Sequence, residues 1–231
     1  MRSGALALTM AGDPESIRVL FEDERVLVVD KPPRMLVVDA PGRSGPTLID
    51  LLSKQLGEPV YPVHRLDEDT TGALLVARSP ESRARLDELL RHRLVERVYH
   101  ARTARVPSPL AGRIESRLEE GRDGVVRCVR GRRGKTAITN YRVLERRAVG
   151  ALVECRLETG RRNQIRAHLA ELGCPIIGDR KYGWRATDGG PKPSRPLLHA
   201  FSLAFDDPES GRRVFVESPA PEPELRLEPS N

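Results

Sequence analysis

The sequence predicts an α+β chain. Two observations carry this. Short apolar or alternating runs of strand length recur from Ile17 to Glu217, whereas only three stretches place apolar residues at helical spacing. The strand-like runs also follow one another through turns instead of alternating strictly with helices.

Taken in order, Ile17 to Asp30 reads as two strands around the acidic turn Glu22-Asp23-Glu24. Lys31-Pro32-Pro33 ends the second, because proline cannot continue a ladder and restricts the residue before it. Thr47 to Leu56 sets Leu48, Ile49, Leu51, Leu52 and Leu56 at helical spacing, and Gly57 closes it. The charged stretch Tyr61 to Gly72 then runs into the apolar run Ala73 to Ala77, which has the length and composition of a strand inside a sheet. Ser79-Pro80-Glu81 starts a second helix with an N-cap and a first-turn proline, and Leu86, Leu89 and Leu90 form its stripe. Val95 to Thr103 is a strand, Arg113 to Lys135 a glycine-rich hairpin excursion, and Thr136–Glu145 and Ala151–Glu158 two strands joined near Gly150. In Thr159 to Gly173, Ile165, Leu169 and Leu172 share one helical face, with Gly173 as C-cap and Arg162 and Arg166 on another face. Cys174 to Gly183 reads as strand and turn, Ala186 to Pro196 as a mobile loop, and Leu197–Phe205 and Arg212–Glu217 as final strands.

The domain expectation is a leader over 1–14, one folded unit over 15–217 and a disordered acidic Pro/Glu tail over 218–231. The start is too weakly apolar for a signal peptide, and Met10 is an alternative first residue. With 39% hydrophobic and 31% charged residues the 231-residue chain has the composition of a soluble globular protein. No run reaches membrane-spanning length. Cys128, Cys155 and Cys174 are odd in number and widely spaced, and the five His residues show no ligand spacing, so a reducing cytoplasm and no metal are expected. Net charge is +6, and 34 of the 39 basic residues are Arg, whose planar fork suits phosphate. Residues 111–147 carry 11 basic and five acidic residues, while 204–231 carry three and seven. That asymmetry suggests one face for a polyanion.

Two segments stand out. In His64-Arg65-Leu66-Asp67, followed by Thr70-Thr71-Gly72, Asp67 is either a turn former with Arg65 as surface partner or a carboxylate mounted rigidly for reaction. In Thr159-Gly160-Arg161-Arg162-Asn163-Gln164-Ile165-Arg166, cations crowd a helix N-terminus, where the macrodipole opposes them. Either an anion binds there, a carboxylate compensates, or the turn is a solvated basic one.

Together the two segments resemble the RluA-type pseudouridine synthases. His64-Arg65-Leu66-Asp67 with Thr70 and Gly72 resembles their signature, and Thr159-Gly160-Arg161, Gln164-Ile165-Arg166, His168-Leu169, Gly178-Asp179 and Tyr182-Gly183 resemble their later motif. Lys31-Pro32, Tyr99-His100-Ala101 and Leu198-His199-Ala200 match three further motifs, so the likeness runs from about Ile17 to about Val216. Thr71 stands where the family usually has Ser, Asn163 where it has His, and Pro33-Arg34 replaces a glycine-containing turn. Too few residues precede Lys31 for the S4 RNA-binding domain of many relatives, so the catalytic domain is expected to find its RNA largely alone.

The resemblance implies the pseudouridine synthase fold, a central mixed, mostly antiparallel sheet with flanking helices and a basic cleft. It implies isomerisation of uridine in rRNA or tRNA without cofactor or metal. Aromatics are only 4%, so a stem-loop read by shape and phosphate is expected over single-strand stacking, and a monomer is the default. Asp67 is then the carboxylate that attacks C1′ or removes a ribose proton, and Arg166 pairs with it and favours its charged form. Tyr99 packs on the base and helps move the C5 proton, and Arg65 fills the gap left by the flipped uridine. His64, Leu66, Thr70, Arg161, Arg162, Gln164 and Leu198 complete the substrate-binding set. Two rivals remain: a catalytically silent RNA-binding protein or RNA chaperone, and a glycoside hydrolase using Asp69 or Asp179 as a second acid.

Overall fold

The computed structural model describes residues 16–186 and 192–227, so the expected leader, five residues of the expected mobile loop and the last four residues lie outside it. The strands are β1 (Arg18–Glu22), β2 (Val26–Lys31), β3 (Tyr61–Pro62), β4 (Thr71–Ala77), β5 (Glu96–Thr103), β6 (Ala111–Glu120), β7 (Val126–Val129), β8 (Lys135–Arg146), β9 (Ala151–Leu157), β10 (Leu198–Asp206) and β11 (Arg213–Glu217). The α-helices are α1 (Leu48–Leu56), α2 (Pro80–Arg91) and α3 (Gln164–Glu171).

All the strands join one sheet in the order β1-β2-β4-β10-β5-β9-β8-β6-β7, with β11 on β10 and β3 on β4. Only the β4–β10 pair is parallel; the other pairs among the described residues are antiparallel. The expected mixed, mostly antiparallel α+β fold is therefore present.

Seven consecutive buried residues make β4 the strand that anchors the charged loop before it. Leu74 and Val76 enter one core with Leu48 and Leu52 of α1, while Ala73, Leu75 and Ala77 meet Leu86 of α2 and Phe205. The side-chain period of two thus places α1 and α2 on opposite faces. Helix α1 opens on a reciprocal cap: the Asp50 amide donates to Thr47 Oγ1 at 3.2 Å and the Thr47 amide to the Asp50 carboxylate at 2.8 Å. A third cluster, including Leu118, Val126, Ala137 and Ala167, seats α3 on the β6–β8 excursion.

Gly72 is a strand residue rather than the turn residue its neighbours suggested. Its φ is 109°, and a Cβ there would lie 2.3 Å from the Ala200 carbonyl oxygen of β10. We expect Gly72→Ala to destabilise the protein by roughly 3 kcal/mol, combining positive-φ strain with a backbone clash. Chemical denaturation checks this.

Four expectations need correction. Residues 218–227 are packed: Ser218, Ala220 and Leu225 are buried, and Pro223–Leu225 forms a 3-10 turn. Their Pro/Glu composition hid three small or apolar side chains that fit the core. Residues 174–183 form no strand beyond one bridge, Thr103 to Ile176, followed by a 3-10 turn at Arg180–Tyr182. Helix α3 starts at Gln164, so Arg162 lies in the preceding turn and shares no helical face with Arg166. The cap residue of α3 is Leu172, and Gly173, with φ 75°, takes the left-handed position after it.

Candidate active site

The loop before β4 is held by its own carbonyls. Thr70 donates its amide to the Asp67 carbonyl at 3.0 Å, closing a turn. The fully buried Lys31 donates to the Glu68 and Pro32 carbonyls, both at 2.8 Å. Arg195 donates to the carbonyls of Asp69 (2.9 Å) and Leu198 (3.0 Å) and to Thr71 Oγ1 (3.1 Å). His64 Nε2 accepts the Leu75 amide at 3.1 Å. Burial pushes His64 down to about 3, so it is a neutral brace at neutral pH. Asp67 does form a turn, as its bland reading held, but its carboxylate faces the cleft.

Burial also brings the Lys31 ammonium down to about 8, with Asp69 and Asp67 opposing the shift. Its charged form is disfavoured in the fold, so between about pH 8 and 10.5 the unfolded chain binds more protons and stability rises with pH. Unfolding titrations should show wild type gaining stability relative to Lys31→Met across that window. A flat difference refutes the buried, charged lysine.

The cleft encloses about 640 Å³ between this loop, β5, the end of α2 and the turn before α3. Arg166 reaches into it from α3. Its Nη1 lies 3.4 Å from Asp67 Oδ2, the expected pair. Its main partner is different, however: Nε and Nη2 hold both oxygens of Asp179 at 2.7 and 2.9 Å. Nη1 also donates to Asn163 Oδ1 at 3.0 Å, and the guanidinium stacks 4.9 Å from the Tyr182 ring centre. Burial works against its charge, but hydrogen bonding to Asp179 and the Asp67 carboxylate outweigh this. Asp179 is 1% exposed whereas the Asp67 side chain is 21% exposed, so only Asp67 is left to meet a substrate. Asp179 is therefore no second acid of the hydrolase kind.

Tyr99 of β5 lines the same cleft, buried between Cys155 of β9 and Ala200 of β10. Burial pushes its phenol up to about 12, with Arg97 opposing and Asp67 adding to the shift. Leu66 and Leu198 are buried walls. Arg65 is exposed at the cleft and makes no ion pair among the described residues, so it is not the surface partner of Asp67 that the turn-forming alternative required. Arg161 donates Nε to the Thr136 carbonyl at 3.1 Å, and Arg162 pairs with Glu120.

Gln164 corrects its expected role. Its amide donates to the Ile138 carbonyl and Thr139 Oγ1 and accepts from Thr159 and the Arg161 amide, leaving no free donor for a substrate. Thr70, 4% exposed, likewise shapes the turn more than it meets solvent. Four residues support the site without a role that the motifs assign. Lys31 and Asp179 lie in matched motifs, but the likeness gives neither a role in holding the site. Arg97 and Arg195 carry no such signal: Arg97 follows two other nearby arginines, and Arg195 sits among Gly, Pro and Ser.

Among the described residues no group of His, Cys, Asp or Glu could hold a metal ion, and no helix is long and apolar enough to cross a membrane.

A family model described as RNA pseudouridylate synthase matches residues 25–171. The chain is 36% identical over 228 residues to the ribosomal large subunit pseudouridine synthase D of Nitrosomonas europaea, covering 89% of this chain and 62% of that protein. It is 37% identical to the uncharacterized RNA pseudouridine synthase YlyB of Bacillus subtilis, covering 94% of this chain and 73% of that one. The chain thus spans between about three fifths and three quarters of these relatives' lengths. Among solved structures, human RNA Pseudouridylate Synthase Domain Containing 4 superposes with TM-score 0.76 at 30% identity, over 93% of this chain and 95% of that one.

Proposed function

The chain belongs to the RNA pseudouridylate synthase family, and from that premise we propose that it isomerises uridine to pseudouridine in ribosomal RNA with Asp67 as the reacting carboxylate. The observation that carries this is the convergence of Asp67, Arg166 and Tyr99 on one cleft from three separate elements. In the reaction the C1′–N1 bond breaks, its electron pair leaves with the uracil, the ring turns, and C5 bonds to C1′. The C5 proton is lost and N1 gains one, so no oxidant, reductant or external energy is required. Asp67 acts on C1′ or on a ribose proton, and both routes need it ionised beside Arg166.

With its phenol pushed up to about 12, Tyr99 is neutral at working pH and acts by packing on the base or by handing on a proton as a phenol. Turnover by Tyr99→Phe separates these: loss of about 100-fold or more assigns the proton role, and near-normal turnover leaves packing alone. His64, Leu66, Thr70 and Gln164 support the cleft, Leu198 walls the base, and Arg65, Arg161 and Arg162 meet the RNA. Exposed Arg122, Arg130, Arg132 and Arg133 on the β6–β8 excursion extend a cationic face that suits a folded stem-loop held by phosphate contacts. The large-subunit RNA is favoured over transfer RNA by the name of the Nitrosomonas relative. A monomer is part of the same reading. Three unpaired thiols, two of them buried, suit a reducing cytoplasm.

Pseudouridine mapping on ribosomal RNA incubated with wild type and with Asp67→Asn tests the proposal. An Asp67-dependent pseudouridine is expected. Binding without any Asp67-dependent product would favour the RNA-chaperone reading instead.

A further inference from the structure

Arg97 of β5 is 8% exposed yet lines the cleft. Among the described residues its side chain has no ion pair, and its Nε is enclosed without any hydrogen-bond partner. The cleft holds six other arginines. Arg65 is exposed to water, and the rest each have a carboxylate or carbonyl partner, as Arg166 has Asp179 and Arg162 has Glu120. A buried cation without a counter-charge is costly, and a fold keeps one where something else supplies the charge.

The position narrows what that is. Arg97 and Tyr99 are two apart on one strand, so they share a face about 7 Å apart. Gly160 closes over the guanidinium: a Cβ there would lie 2.7 Å from Nη1. The site is therefore on the floor beside Tyr99, not at the mouth, where Arg65, Arg161 and Arg162 are exposed. RNA phosphates keep to the mouth, and the flipped base is the part of the substrate that reaches a floor.

We propose that Arg97 is a catalytic residue that donates a hydrogen bond to a carbonyl oxygen of the target uracil and stabilises the charge collecting there as the C1′–N1 bond breaks. This rests on the isomerase reading above. Cleavage leaves the electron pair on N1, and resonance shares it with O2 and O4. A donor on one of those oxygens binds most strongly when the charge is fullest, so it lowers the barrier more than it tightens binding. Once C5 has bonded to C1′, loss of the C5 proton and protonation of N1 remove the charge and weaken the contact. The empty site carries the cost of an unpaired cation, so removing it should not weaken the fold.

The test uses single-turnover rates at saturating large-subunit ribosomal RNA, transcribed with uridine, 2-thiouridine or 4-thiouridine, since sulfur accepts hydrogen bonds more weakly than oxygen. For Arg97→Met we expect an unfolding midpoint equal to or above wild type and a rate about 10- to 100-fold lower on uridine, the loss of one charge-assisted hydrogen bond. RNA affinity should stay within about threefold. One of the two thio-substitutions should slow wild type more than it slows the variant, by about the same factor. Gly160→Ala, which keeps the charge but crowds Nη1, should show the same pattern more weakly. Equal thio-sensitivity in wild type and variant overturns the proposal. If affinity and salt slope then fall in the variant, Arg97 is a phosphate clamp; if nothing falls, it is a structural cation. A wild type that forms no pseudouridine on the uridine RNA overturns the isomerase reading itself, and this inference with it.

Discussion

Asp67→Asn should abolish pseudouridine formation, lowering the single-turnover rate by roughly four orders of magnitude while leaving the fold and RNA affinity intact. The amide keeps the shape of the carboxylate and loses both its charge and its power to attack or take a proton. The loop should not collapse, because its fixed points are backbone carbonyls: Glu68 held by Lys31, and Asp69 held by Arg195. None of these bonds uses the Asp67 side chain. Stability should move little, since the carboxylate is partly exposed and its contact with Arg166 is the longer of that guanidinium's two ion pairs, 3.4 Å against 2.7 Å. Pseudouridine assays beside unfolding curves check both halves. A variant retaining a tenth of wild-type rate would remove Asp67 from the chemistry.

Arg166→Met should lose activity and stability together, and the two losses should be separable. It strands Asp179, a carboxylate only 1% exposed, without its two hydrogen bonds. Leaving such a charge unpaired costs about 3–5 kcal/mol. It also removes the cation 3.4 Å from Asp67 Oδ2 that orients the carboxylate toward the cleft, so turnover should fall well beyond what one lost phosphate contact explains. The double variant Arg166→Met, Asp179→Leu removes the stranded charge and should recover most of the stability, but none of the turnover. Recovery of both would mean that Arg166 acts only as a prop for Asp179.

These two residues show how far the sequence could be read. The helices and strands followed from apolar period, caps and glycines, because those signals are local: Thr47, Ser79 and Gly57 mark ends that the structure places within a residue. Motif likeness predicts the Asp67–Arg166 meeting but leaves Asp179, the stronger partner, as a candidate second acid, because spacing along a chain does not reveal which carboxylate a guanidinium will face. Gln164 looked like a substrate contact and is an internal brace for the same reason. Arg195 was placed in a mobile loop by its Gly, Pro and Ser neighbours. Its partners at Asp69, Thr71 and Glu222 lie between 27 and 126 positions away, beyond any local pattern.

The sheet order has a consequence for how the protein is made. β10, the tenth of eleven strands among the described residues, lies between β4 and β5, with β11 on its far end. β4 and β5 are both made well before the strand that joins them exists. Until Leu198–Asp206 emerges, Thr71 and Gly72 of β4 and one edge of β5 lack their strand partner, and Arg195 cannot yet bridge the Asp69 carbonyl to Glu222. The cleft should therefore assemble only after β10 is in place, and nascent chains stalled short of Asp206 should be open to protease around the cleft. A cell would then rarely hold a truncated copy able to grip RNA productively, because the same late strand that completes the sheet also completes the site.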